Sequence, residues 1–384
     1  MAAYNYKWNT KKQKKVVEKS LLQYIRKIVS QYSPFYRRYF EEKELVDLPF
    51  KQIDDFLKIP PISEKDYLKE PNSFILYPRD SDWRRDEVRP TKDIPFLQKV
   101  KYWLQTLSKT YFRSIFGPIP LSSNERIGIE QANEWLPVHF QTYKKQQSPP
   151  AIIAYTKRDL IRNIPEIIAQ LYTTGFNPAW ELLNLLPAAP DFAFFLSIWA
   201  PIFIGGGNFL SFGGDGVSLE EQFDLLETIS FEGLIGQPST LINWIPKITE
   251  NFKVGKESPL TNLQLCFLLD KNNTNIEKKT IRELFQKIDA APKLLKILSS
   301  NIIRGTFFEC SENSGIHLNP RFFYWEVLDK KTKEPVQEGE AGELCFSHID
   351  WRGTVFLRFN TGYFVNSLEW KKCPYCGLTL PILD

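Results

Sequence analysis

The 384-residue sequence is poor in cysteine, has no long uninterrupted hydrophobic run and carries little excess of either charge; each shortage narrows the class of protein. Five cysteines, an odd number, do not make a disulfide framework and fit a reducing compartment better. The longest apolar stretch, residues 192–204, is broken by Ser197 and Pro201 and falls short of the roughly 20 residues that a membrane-spanning helix needs. Residues 1–10 contain no apolar segment followed by a small-residue cleavage site, so no secretory signal is expected and the cytoplasm is the expected location. A net charge of only +4 supplies no general attraction to nucleic acid or to an anionic membrane, and neither is expected as a partner. Gly205-Gly206-Gly207 and Gly213-Gly214-Asp215-Gly216 are the glycine-rich places. Neither has the spacing of a phosphate-binding loop or a dinucleotide fingerprint, so both read as turns.

What is present is the composition of a globular chain, 43% hydrophobic and 24% charged, long enough to bury a sizeable core. Aromatics reach 14% with ten tryptophans, which points to a core or cleft lined by large rings.

The most informative stretch runs from Glu309-Cys310 through Gly315-Ile316-His317 to Cys373-Pro374-Tyr375-Cys376-Gly377. A Cys-x₂-Cys turn places two sulfurs together, and Cys310 with His317 adds one sulfur and one nitrogen. The resulting S₃N set is the tetrahedral complement of structural Zn²⁺, so Cys310, His317, Cys373 and Cys376 read as a zinc knot. Two other readings stay open. Cys-Pro-Tyr-Cys is also a redox dithiol, but that chemistry wants a helix after the first thiol, and the eight residues after Cys376 include Pro381. The thiols can also be incidental structural cysteines. Cys266 and Cys345 lie in apolar runs and read as inert core thiols, and His139 and His348 as packing or hydrogen-bonding residues.

Along the chain, residues 11–29 place Val16, Val17, Leu21, Leu22, Ile25, Ile28 and Val29 at helical spacing, with a solvated lysine cluster at the start. Strand-like segments at 151–154, 233–235 and 263–268 alternate with helical runs at 160–173, 219–228 and 276–288, the pattern of a parallel sheet flanked by helices. From residue 322 the pattern changes to strands and turns, at 324–328, 342–348 and 355–359, which predicts an antiparallel subdomain. The expected fold is therefore α/β, with parallel sheets flanked by helices, a C-terminal antiparallel β subdomain and a zinc knot. One large domain is expected over 1–384, divided into a helical part (1–140), an α/β body (141–320) and a β subdomain (321–384).

Several motifs then fall in order: Ser33-Pro34-Phe35-Tyr36, Asp55-Phe56-Leu57-Lys58-Ile59-Pro60-Pro61-Ile62-Ser63, Glu134-Trp135-Leu136-Pro137, Ala154-Tyr155-Thr156-Lys157-Arg158-Asp159-Leu160 and Gly236-Gln237-Pro238-Ser239. After Glu309-Cys310 come Gly339-Glu340-Ala341-Gly342-Glu343-Leu344, Asp350-Trp351-Arg352-Gly353-Thr354 and Arg358-Phe359-Asn360-Thr361-Gly362. Across nearly the whole chain this series resembles the phenylacetate-CoA ligase-like branch of the adenylate-forming superfamily. The resemblance implies the large N-terminal adenylation domain of an enzyme that joins a carboxylate to AMP and passes the acyl group to CoA.

Against that family, three motifs are altered. The triphosphate loop needs glycines for close backbone approach, yet residues 141–150 contain none and end in two prolines. The family's Tyr-Gly-x-Thr-Glu, whose Glu helps hold Mg²⁺, matches Leu298-Ser299-Ser300-Asn301-Ile302, and an isoleucine offers no oxygen. The ribose-gripping Asp of Thr-Gly-Asp is Tyr363, expected to fill the pocket that Asp leaves open. The sequence given also ends where the family continues into a small mobile lid, so the lid is expected to be absent. The resemblance thus puts ATP and Mg²⁺ binding in doubt and implies no catalytic or nucleotide-binding residue. It leaves two functional readings. One is a degenerate adenylation-domain homologue, a binding or partner subunit for a full-length ligase or another protein, with a cleft for an acyl or aryl carboxylate. The other is half of an AMP-forming acyl- or aryl-CoA ligase, or an acyltransferase, that works with a second polypeptide.

Overall fold

The computed structural model describes residues 4–77, 100, 104, 131, 133–143, 150–186, 207–209, 218–228, 231–251, 258, 260–269 and 275–384. Most of the proposed phosphate-loop segment (144–149), the apolar run 192–204 and the glycine-rich turns apart from Gly207 lie outside them.

Two compact units are built from interleaved stretches of chain: residues 18–163 with 347–359, and residues 1–17 with 164–346 and 360–384. In the first, the expected long helix forms as Thr10–Tyr24, Ile25–Val29 and Ser30–Tyr32, starting in the second unit's stretch. The Pro34–Glu42 helix starts with proline in its first turn, and the hydroxyl of Ser33 accepts from the amide of Tyr36 at 3.2 Å. Helix Glu64–Lys69 is closed by the carboxylate of Asp66, which accepts from the amide of Ser63 at 2.9 Å. Rings make this core: Phe35, Tyr36, Tyr67, Phe74 and Phe356 pack with centroid separations from 4.0 to 6.1 Å. That is where part of the aromatic excess goes.

Strands β1 (Pro137–Tyr143) and β2 (Ala151–Thr156) pair antiparallel in the same unit. The segment 151–154 is thus a hairpin arm and not a strand of the parallel sheet. Its apolar run looks like a buried parallel strand because Ala151, Ile153, Ala154 and Tyr155 are all buried, although Ile152 is exposed.

The second unit holds a nine-stranded mixed sheet. Its strands are β3 (Glu181–Asn184), β4 (Gly207–Phe209), β5 (Gly233–Gly236), β6 (Leu265–Leu269), β7 (Lys293–Ser300), β8 (Gly305–Glu309), β9 (Ile316–His317), β13 (Leu368–Lys372) and β14 (Thr379–Leu383). The order is β13-β14-β9-β8-β7-β6-β5-β3-β4. Neighbours from β4 to β7 are parallel, and those from β7 to β13 antiparallel. A three-stranded sheet, β10 (Phe323–Leu328), β11 (Gly342–His348) and β12 (Phe359–Val365), completes the strands. The predicted strand at 355–359 is an error of register: strand geometry starts at Phe359, because residues 355–358 are tied elsewhere, as described below.

Of the helices Leu219–Thr228, Pro238–Asn251 and Asn275–Gln286, the first and third fall where periodicity predicts helices and the second is an addition. In the second of these, Leu241, Trp244, Ile245 and Ile248 recur at helical spacing and are buried with Leu234 of β5, Cys266 of β6 and Leu294 of β7. Each such aliphatic side chain contributes about 1.5–3 kcal/mol by leaving water. Among the described residues no helix is long and apolar enough to cross a membrane.

Candidate metal centre

The antiparallel end of the large sheet places the metal-ligand candidates. Cys310 follows β8, His317 lies on β9, and Cys373 and Cys376 occupy the turn between β13 and β14. Because β9 pairs with both β8 and β14, sheet register alone brings the segments together: His317 faces Phe308 on one side and Ile382 on the other. Each turn is set by its own chemistry. The Ser314 hydroxyl accepts from the amides of Cys310 (3.1 Å) and Ser311 (3.3 Å). Gly315 has φ +76°, and a Cβ there would sit 2.5 Å from the Ile382 side chain and 3.0 Å from the Leu383 carbonyl oxygen, so only glycine fits. In the second turn the amide of Gly377 donates to the Cys373 carbonyl (3.0 Å), and the amide of Tyr375 donates to the Cys373 sulfur (3.4 Å).

The four ligand atoms lie within 4.8 Å of one another, with Cys310, His317 and Cys373 buried and Cys376 half-buried. The sulfurs of Cys310 and Cys373 are 3.5 Å apart. A tetrahedral ion with Zn–S bonds of roughly 2.3 Å calls for an edge of about 3.8 Å, so the spacing suits zinc with little adjustment. His317 supplies a second test. The residue is 1% exposed, and among the described residues neither ring nitrogen has a hydrogen-bond partner. An imidazole buried that way costs free energy unless something else takes its lone pair. Burial pushes its pKa down to about 4, which keeps the ring neutral and its lone pair available. The hydrogen bond from Cys310, with further help from backbone donors and Cys373, brings the Cys376 thiol down to about 6, while the Cys310 thiol is pushed up by the same contact and by burial. The cluster can therefore hold a metal ion such as zinc.

The other residues singled out in the sequence fall into place. Cys266 and Cys345 are fully buried, and burial pushes the Cys266 thiol up. His348 is buried, its Nδ1 accepting from the amide of Phe356 at 3.1 Å, and His139 is half-buried on β1 with its pKa lowered by burial. Ile302 is 4% exposed in the turn between β7 and β8. Tyr363 differs from expectation: its side chain is 47% exposed on β12 and fills no closed pocket. The neighbouring groups explain the local shape. The Thr361 hydroxyl donates to the Leu344 carbonyl (2.7 Å), and Gly362 (φ +72°) donates its amide to Asn360 (2.9 Å).

Two buried polar arrangements hold these motifs in place. In the first unit, Asp350 stands among three guanidinium groups, Arg158 at 2.8 Å, Arg162 at 3.1 Å and Arg352 at 3.3 Å, and Glu134 takes a second contact with Arg352 at 3.2 Å. Asp159 accepts from the amides of Arg352 (2.9 Å) and Gly353 (2.8 Å), and a Cβ at Gly353 would lie 2.0 Å from the Ala154 carbonyl oxygen. The Asp350-Trp351-Arg352-Gly353-Thr354 motif is thus a buried strut locked to β2. Arg358, itself buried, donates to the carbonyls of Leu57 (2.7 Å) and Ile59 (2.8 Å), which joins the Arg358-Phe359 motif to the Phe56–Ser63 motif some 300 residues earlier. Both motifs were visible in the sequence. Their mutual contact was not.

No family model matches the sequence. A curated phenylacetate-coenzyme A ligase from Thermus thermophilus is 26% identical over 243 residues, covering 60% of this chain and 49% of that protein. The chain thus aligns with about half the length of that relative. Among solved structures, 2-hydroxyisobutyryl-CoA ligase in an open conformation with 2-HIB-AMP and CoA superposes with a TM-score of 0.70 at 16% identity, over 98% of this chain and 74% of that one. The same enzyme in its thioesterification state gives 0.69 at 15%, over 98% and 68%. The fold is similar to that of these solved CoA ligases. The sequence relative is a phenylacetate-CoA ligase, in keeping with the branch that the motifs resemble.

Proposed function

We propose that this chain is a degenerate phenylacetate-CoA ligase-like adenylation domain, unable by itself to form an acyl-adenylate, that serves as a binding or partner subunit and is held together by a structural zinc ion at Cys310, His317, Cys373 and Cys376. The observation that carries the reading is Ile302. Where the family motif places a carboxylate for Mg²⁺, this chain has a buried hydrocarbon. Stabilisation of a transferring phosphoryl group by fixed donors and a divalent cation is commonly the largest catalytic contribution, so its loss removes several kcal/mol. Tyr363 in place of the ribose-gripping aspartate, and the glycine-free sequence 141–150, act in the same direction. The motifs that support the scaffold, the Arg358 clasp and the Asp350 strut, are kept.

Titration calorimetry with ATP and Mg²⁺, followed by pyrophosphate exchange in the presence of phenylacetate, tests the reading. No saturable heat and no carboxylate-dependent exchange are expected. Exchange by the purified chain alone would overturn it. Exchange that appears only on mixing with a second polypeptide that is itself silent in the assay would replace it with a split enzyme. Metal analysis of the purified chain is expected to find about one zinc per molecule.

A further inference from the structure

Three of the four candidate ligands are buried and one, Cys376, is not. On its open side lies a cavity of about 590 Å³ lined by Lys7, Asn9, Thr10, Lys372, Cys376, Gly377 and Thr379. All of these belong to one compact unit. Among the described residues the lining contains two ammonium groups and no carboxylate. Neither Lys7 nor Lys372 has a side-chain ion pair among the described residues, whereas nearby lysines do: Lys14 pairs with Glu338 at 2.5 Å and Lys371 with Glu369 at 2.9 Å. The cavity floor is held firmly. The Tyr6 carbonyl accepts from the amide of Thr379 at 2.9 Å, and Gln13 donates to the Thr379 carbonyl at 2.8 Å, which fixes the N-terminal arm against β14.

We infer that this cavity is the port through which the metal centre is loaded and unloaded, and that it receives small anionic chelating ligands such as carboxylate- or thiolate-bearing metabolites. The inference rests on the metal reading given above. Lys7 and Lys372 raise the local concentration of an anion beside the sulfur of Cys376. Cys376 is the ligand that gives way, because the approach to Cys310, His317 and Cys373 is closed by packing, including Ile382. The exchange would be a substitution without redox change: an incoming donor atom would replace the Cys376 sulfur, and the released thiolate would take a proton from water, leaving hydroxide to the buffer. The port thereby distinguishes ligands by charge, since an uncharged chelator gains nothing from the two ammonium groups.

The experiment uses the full chain with its zinc. Wild type, the double variant K7E/K372E and a control with a distant charge reversal, K65E, are first measured for zinc content and thermal midpoint. Each is then exposed to EDTA, which is anionic, or to the uncharged chelator TPEN, and the zinc still bound to protein is measured after rapid desalting at intervals. In K7E/K372E the rate of loss to EDTA is expected to fall about fivefold or more at low ionic strength, and the difference to shrink in about 1 M salt as the charges are screened. The TPEN rate is expected to stay within about twofold, and K65E to match wild type with both. Equal EDTA rates in wild type and K7E/K372E, or an equal slowing with both chelators, would overturn the port. Wild-type chain without zinc would instead overturn the metal reading itself, a result seen before any chelator is added.

Discussion

Replacing Asp350 with asparagine isolates one charge at the centre of the buried strut. The side chain keeps its shape, but three guanidinium groups at 2.8–3.3 Å lose their shared counter-ion. Breaking a buried ion pair by removing one partner costs about 3–5 kcal/mol. Glu134 still contacts Arg352 at 3.2 Å and Arg158 at 4.0 Å, and Arg162 is partly exposed to water, so the lower end of about 3 kcal/mol applies. With a urea dependence of roughly 3 kcal/mol per molar, the midpoint of unfolding should fall by about 1 M at pH 6. The effect must also depend on pH. Burial alone would raise the Asp350 pKa, but Arg352, Arg158 and Arg162 together outweigh it and hold the carboxyl below its ordinary 3.8. A carboxylate whose folded pKa is depressed stabilises the fold above the unfolded pKa, and that contribution is lost as pH falls through the folded value. The wild-type advantage over D350N should therefore be constant from about pH 5 upward and narrow below about pH 4. Urea unfolding followed by circular dichroism from pH 3 to 7 measures it. An advantage under about 0.5 kcal/mol at pH 6, or one that does not narrow on acidification, would refute the strut.

The remaining predictions are more compact. Cys373→Ser or His317→Ala should lower bound zinc from about one per chain to a small fraction, measured by metal analysis, and should reduce the thermal midpoint as thorough chelation of wild type does. Gly353→Ala forces a Cβ to within 2.0 Å of the Ala154 carbonyl oxygen, so β2 or the strut must move, and a loss of at least about 1–3 kcal/mol is expected in denaturant melts. Arg358→Lys retains the charge but not the planar fork that reaches the carbonyls of Leu57 and Ile59, so a loss of about 1–3 kcal/mol is expected, together with faster amide exchange at Ile62, whose amide donates to the Arg358 carbonyl.

How much could be read beforehand depends on whether the signal is local. The helices Leu219–Thr228 and Asn275–Gln286 are legible from their own periodicity. The candidate cluster of Cys310, His317, Cys373 and Cys376 is legible because few side chains bind zinc and the Cys-x₂-Cys spacing restricts geometry, and the structure brings the four side chains together. Pairing is a different matter. Nothing within residues 151–156 says that the partner is 137–143, so a hairpin arm reads like a parallel strand. Residues 355–358 are apolar enough for a strand, yet Arg358 turns to φ +47° to reach the carbonyls of Leu57 and Ile59, and the strand starts one position later. The role of Gly353 is hidden for the same reason, since the atom that forbids a side chain there belongs to Ala154.

The metal cluster joins points far apart along the chain: Cys310 and Cys373 are 63 positions from each other, with β10, β11 and β12 between. A metal ion tying off a loop of that length would remove about 4 kcal/mol of freedom from the unfolded polypeptide. During synthesis, Cys310 and His317 emerge long before their two partners, and a sulfur with a nitrogen alone is a poor zinc site. If the cluster holds zinc as proposed, capture of the ion and closure of the sheet by β14 coincide, so a ribosome that stalls before residue 373 would release a chain with an unfinished edge and an incomplete ligand set.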